Sequence, residues 1–169
     1  MTTRTPILFA ILLALLGTPA AVRADETAAL SDDAAAVEAA IGQWIEVLNA
    51  MLNQDPAPFA ELYSHADDVV YLGAEGTYRI GWQATWEDWQ AQAARSSGGK
   101  VEATKVHVIV HGDTAMASHI TRGKVRQPDG ILTDTAVRET SFLRKEDGRW
   151  RMVLHHADAI ASWEEAFDD

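Results

Sequence analysis

From residue 32 onward the apolar positions fall at helical spacing. Val37, Ile41, Trp44, Ile45, Leu48 and Leu52 recur every three or four residues, which predicts one amphipathic helix from about Asp32 to Asn53. Ser31 stands where an N-cap belongs, and Asp32 and Asp33 suit the positive end of the helix dipole. Pro56 and Pro58 stop that helix. Phe59, Leu62 and Tyr63 predict a short second helix ending near His65. Val69–Leu72 reads as a strand and Gly73–Gly76 as a loop. Trp82, Trp86, Trp89 and Ala93 share one face of a third helix, which Ser96-Ser97-Gly98-Gly99 ends.

Beyond this point the period changes to two. Val106, Val108 and Val110 alternate up to a tight turn at Gly112-Asp113. Residues 115–126 return, and Pro128-Asp129-Gly130 turns the chain again. Residues 133–144 and 149–158 supply two more strands. On the last one Trp150, Met152, Leu154 and His156 alternate with Arg149, Arg151, Val153 and His155. That is a half-buried strand whose apolar row ends in a histidine. The order α-α-β-α-β-β-β-β predicts an α+β domain: a curved antiparallel sheet with helices on its concave face.

The N-terminus has a different character. Arg4 precedes an apolar run, Ile7–Gly17, and small residues lead to Ala24. This predicts a secretory signal peptide over residues 1–24, cut before Asp25, with a single domain over 25–169 that ends in a short acidic tail. The apolar run is too short for a bilayer span, so a periplasmic or secreted protein is expected, with no membrane contact after cleavage. The chain carries 25 acidic and 14 basic residues, a net charge of −11. Loss of Arg4 and Arg23 would make it more acidic. Such a balance disfavours nucleic acid and anionic membranes as partners. With no cysteine, burial alone must hold the fold.

Strand register suggests where chemistry could gather. A three-residue loop, Glu146-Asp147-Gly148, would set Lys145 opposite Arg149 and Arg138 opposite His156. The Gly112-Asp113 turn would place His119 on the same concave face. The expected ligand pocket therefore holds Arg138, His156 and His119 within aromatic walls of Tyr63, Tyr71, Trp82 and Trp86. A guanidinium in a partly dry cavity calls for an anion. Glu75 or Glu139 could supply it internally, leaving a filled core; otherwise a ligand carboxylate, enolate or carbonyl would. His155 is expected to point outward. His119, His156 and Glu139 resemble a two-histidine, one-carboxylate metal set, but this register puts Glu139 on the face opposite His156, so no metal is expected. No nucleophile elbow, P-loop, dinucleotide fingerprint or zinc-binding spacing is present, and no cofactor is expected.

Several segments together resemble the SnoaL-like domain proteins of the nuclear transport factor 2-like superfamily: WIEVLNAMLNQD, FAELYSHADDVVYLG, the Gly81-Trp82 step, VHVIVHGDTAMA and RETSFLRKEDGRWRMVLHHAD. The last also resembles the association domain of calcium/calmodulin-dependent kinases. The resemblance implies a cone-shaped α+β barrel, often dimeric through its sheet, where Ile109, Met116 and Ile120 would lie outward. It implies little about reaction, since the fold hosts isomerases, dehydratases, cyclases and non-catalytic binding modules. Steroid isomerases of this fold use a carboxylate base with a tyrosine and a protonated aspartic acid as donors. The matching places here hold Trp44 and Val70-Tyr71-Leu72-Gly73, which supply neither the base nor that tyrosine. Three functions follow as expectations. The first is a dimeric module binding a small, anionic or carbonyl-bearing ligand. The second is an isomerase or lyase with a pocket histidine as base and Arg138 as oxyanion partner. The third is a non-catalytic dimeric interaction module.

Overall fold

The computed structural model describes residues 20–160. Helix α1 runs Ala20–Leu52, α2 Phe59–Leu62 and α3 Trp82–Arg95; the strands are β1 Val70–Leu72, β2 Tyr78–Ile80, β3 Gly99–His111, β4 Thr114–Arg126, β5 Leu132–Glu146 and β6 Arg149–Ala159. The expected helix start at Ser31 gives way to continuous helix from Ala20. Residues 20–36 are rich in alanine and hold no proline or glycine to interrupt it. The expected signal peptide falls mostly on residues 1–19, outside the described residues, as does the expected acidic tail, Glu164–Asp169. The expected cut before Asp25 falls within α1. No described helix is long and apolar enough to cross a membrane.

The six strands form one sheet in the order β2-β1-β6-β5-β4-β3. Strands β3 to β6 are the expected antiparallel meander. Strand β2 was not expected, because three residues are too few to carry a period. Strand β1 joins β6 in parallel, so the sheet is mixed rather than wholly antiparallel. Helix α1 lies across β3 and β4 and touches β6, α2 and α3. The core between helices and sheet includes Val37, Ile41, Trp44, Phe59, Tyr63, Trp89, Ala117, Leu143 and Met152. Burying each large side chain contributes about 1.5–3 kcal/mol. Two glycines of the β3–β4 pair are sterically required: a Cβ on Gly123 would lie 2.1 Å from the Lys100 carbonyl, and one on Gly99 2.7 Å from the Lys124 carbonyl.

Two bulges decide which side chains face the helices. In β3 the pairing steps from Thr104↔Ile120 to His107↔Ser118, with Lys105 at φ 55. Val108 and Val110 therefore pack on the core, while Val106, expected beside them, is exposed. In the β5–β6 hairpin the turn is two residues, not three. Glu146 pairs with Arg149, and Asp147 and Gly148 take φ 49 and 76, the left-handed pair of a type I′ turn. The register then slips between Leu143↔Met152 and Phe142↔Leu154, with Val153 as the extra residue. A bulge of this kind reverses the faces beyond it. Trp150 and Met152 point inward before it; His155 and Ala157 are the buried residues after it. Arg138 pairs with Asp158 and Thr140 with His156, so the expected Arg138–His156 neighbourhood does not form.

Candidate functional site

The inward face of β4 and β5 carries polar groups where the hairpin leaves the apolar core. His119 of β4 and Glu139 of β5 are direct cross-strand partners, and both are buried. His119 Nε2 lies 2.6 Å from Glu139 Oε2. The approach is too far off the N–H direction for an aligned hydrogen bond, and His119 Nδ1 has no partner. Trp44, projecting from α1, donates its indole N–H to the same oxygen at 2.7 Å. Burial pushes the Glu139 carboxyl up. Contact with His119, the charge of the neighbouring imidazoles and the Trp44 donor outweigh it, and the pKa is lowered. Glu139 is thus a carboxylate at neutral pH.

His155 of β6 sits beside this pair. Its Nδ1 is 3.0 Å from Ser141 Oγ, and its ring lies 4.1 Å from that of Trp44. Burial above all, with the neighbouring His119 and His156, lowers its pKa to about 4 against the pull of Glu139. The ring is uncharged at pH 7. Tyr71 of β1 stacks toward His155 at 6.2 Å. Gln92 Nε2 of α3 donates to the Tyr71 hydroxyl oxygen at 3.0 Å and to Asp88 at 2.7 Å. Burial raises the Tyr71 pKa, so the phenol keeps its proton and can donate it to a hydrogen bond.

These groups line a cavity of about 150 Å³. Its walls include Trp44, Tyr71, Trp89, Thr121, Glu139 and His155, with Leu48, Met51, Val101 and Val137 supplying apolar surface. Glu75 stands in the lining from the exposed β1–β2 loop. Among the described residues the lining contains no lysine or arginine. Both contacts to Glu139 fall on Oε2 rather than Oε1. Thr121 Oγ1 is buried without a hydrogen-bond partner. Larger hollows of 590, 550 and 600 Å³ lie elsewhere and include none of the Glu139, His155 and Tyr71 group.

The expected pocket residues divide three ways. Tyr71 lines the cavity, and His119 stands behind Glu139. Tyr63 is buried beside Phe59 and Trp44, away from the lining; Trp82 and Trp86 stack half-buried at 5.6 Å with His65 over Trp82. Arg138 and His156 are on the outer face. Arg138 is exposed, and His156 Nε2 reaches Asp158 at 3.5 Å. His155, expected outward, is the buried histidine. Among the described residues no three histidine and carboxylate side chains converge as a metal set would. Sequence pattern does not reveal Trp44, Thr121 and His155 as lining residues, and the expected register sets Glu139 on the opposite face from His156. One signal for Glu139 and His155 was present. Met152-Val153-Leu154 are three consecutive apolar residues, and unbroken alternation cannot hold all three.

Comparison with solved structures finds the same architecture. A nuclear transport factor 2-like superfamily protein from Salmonella enterica matches at TM-score 0.67 and 18% identity, over 81% of this chain and 95% of that one. A ketosteroid isomerase-like protein from Erwinia carotovora atroseptica matches at TM-score 0.63 and 24% identity, over 77% and 98%. A cystatin-like-fold protein from Caulobacter vibrioides matches at TM-score 0.63 and 20% identity, over 79% and 93%. At such identities the likeness is one of fold. A search of curated proteins finds no match. The SnoaL-like domain model matches residues 37–162, nearly the whole described fold, and the chain belongs to that family.

Proposed function

We propose that this domain binds a small organic molecule in the Glu139 cavity, with a hydrogen-bond donor of the ligand on Oε1. The buried Glu139 carboxylate in the cavity wall carries the reading. An ionised group in an apolar cavity is costly unless a donor meets it. A cavity of 150 Å³ is of the size that holds a benzene ring, and smaller than pockets for drug-sized ligands, which begin at about 300 Å³. An acid-bearing ligand, expected from Arg138, has no cation among the described lining residues to meet it and a carboxylate to repel it. The same reading has the domain exported and paired through its outer sheet face. There Ile109, Met116, Phe142, Leu154, Val70 and Ile80 are successive cross-strand partners over all six strands, and Ile109, Phe142 and Ile80 are exposed. An apolar row of this kind favours a self-complementary contact.

The test is cavity filling. Ala157→Leu adds bulk inside the cavity, whereas Thr140→Leu places a leucine on the other face of the sheet. Calorimetric titration with benzyl alcohol and benzylamine should show binding lost in the first variant and kept in the second. Binding that survives Ala157→Leu would place the ligand elsewhere.

A second reading is proton transfer. It is favoured by one pairing: an ionised Glu139 and the Tyr71 O–H face the same cavity. Glu139 would take a proton from carbon next to a carbonyl, and Tyr71 would donate to the enolate oxygen. Deuterium uptake by cyclohexanone in heavy water tests it; no acceleration over the Glu139→Gln variant would exclude it for that ketone.

A further inference from the structure

We infer that the molecule taken by the Glu139 cavity is a small protonated amine on an aromatic or aliphatic ring. This rests on the cavity being the ligand site, and it selects one chemical class for it. The lining holds two carboxylates, Glu139 and Glu75, and, among the described residues, no lysine or arginine. His119 approaches Glu139 at Oε2. His155, uncharged, offers no repulsion. An ammonium group brings several N–H donors to one point. The cavity answers with acceptors from Glu139 and Tyr71.

Charge and shape agree with this. Trp44, Tyr71 and Trp89 stand in the same wall, and aromatic faces attract a cation within reach. A neutral alcohol would bring one donor to the carboxylate; an ammonium brings several donors together with the opposite charge. Burial of an ammonium is tolerated where it is paired and fully hydrogen-bonded. The acidic excess of the chain, 25 against 14, and Glu75 on its exposed loop would raise the local concentration of a cation.

The experiment compares three ligands of one shape: benzylamine, benzyl alcohol and benzoate, titrated at pH 7 into the wild-type protein. Benzylamine should bind at least about tenfold more tightly than the alcohol, and more weakly as salt is added; benzoate should not bind. In Glu139→Gln the preference for the amine over the alcohol should fall to roughly twofold or less. If that variant does not fold, the wild-type series alone decides. Equal or tighter binding of the alcohol or benzoate overturns the amine class while leaving the cavity as the site. If none of the three binds, the cavity reading itself fails, and the amine inference with it. Amine binding that persists in Ala157→Leu also overturns it, because the cation would then sit outside the cavity.

Discussion

The two ends of the β5–β6 hairpin, only a few residues apart, are built for different purposes. At the turn end Leu143, Met152 and Trp150 face the helices in an apolar packing, and Met152 is fully buried. Beyond the bulge at Val153 the same face presents Ser141, Glu139 and His155, equally buried but polar. The first end holds the fold. The second gives up apolar burial for a carboxylate, a neutral imidazole and an empty volume. One inserted residue separates them, and it determines which of two adjacent histidines enters the protein.

Breaking the turn end should cost most. Trp150→Ala is expected to destabilise by about 3–5 kcal/mol, since it also removes the contacts of the indole with Asp33 and Lys145. Chemical denaturation measures this. A loss below about 1 kcal/mol would mean that the apolar end is not the anchor.

Acid should reveal the polar end next. His155 has a folded pKa of about 4 against an ordinary 6.5. The unfolded chain binds the extra proton through that window, so stability falls as pH drops from about 6.5 to 4. The loss is roughly 3 kcal/mol if the whole shift is expressed. Glu139, lowered from 4.5, stabilises the fold above its unfolded value and withdraws that stability as pH falls through its folded one, so the two add in the same direction. Melts of wild type and His155→Gln between pH 7 and 4 check this. The variant should show a flatter dependence, and an unchanged slope would sink the assignment.

Glu139→Gln should cost less, about 1–2 kcal/mol, because the amide still accepts from Trp44 while losing its charge beside His119. Thermal melts at pH 7 place it below Trp150→Ala if the division between the two ends is right. The smallest effect belongs to the outer face. Phe142→Ser should change monomer stability by no more than about 0.5 kcal/mol, yet abolish the proposed self-association, as sedimentation would read it. Dimers that survive it would remove the outer row from the interface.

The helices and the β3–β6 meander were legible because burial repeats with a period that residue types report directly. Trp44, Phe59 and Trp89 could be read as core from spacing alone. The site was not legible, for a physical reason. Strand faces are inferred by counting from a turn, and each extra residue inverts the count. The Asp147-Gly148 turn displaced the expected register by one, and Val153 by one more. The pairing of Arg138 with His156 was therefore lost, while the inward face changed from even to odd positions along β6. The run Met152-Val153-Leu154 hinted at the break, but only packing of Leu154 against Phe142 and Val70 decides which side each residue takes. The use of Trp44 as a donor to Glu139, 95 positions away, has no trace in local sequence.

The most direct test is a paired titration of benzylamine into two variants at neighbouring positions of one strand. Glu139 faces the cavity and Arg138 faces away. Affinity is expected to fall at least about tenfold in Glu139→Gln and to stay within roughly twofold in Arg138→Ala. Binding that survives Glu139→Gln and is lost in Arg138→Ala would contradict the account, putting the ligand on the outer face of the sheet.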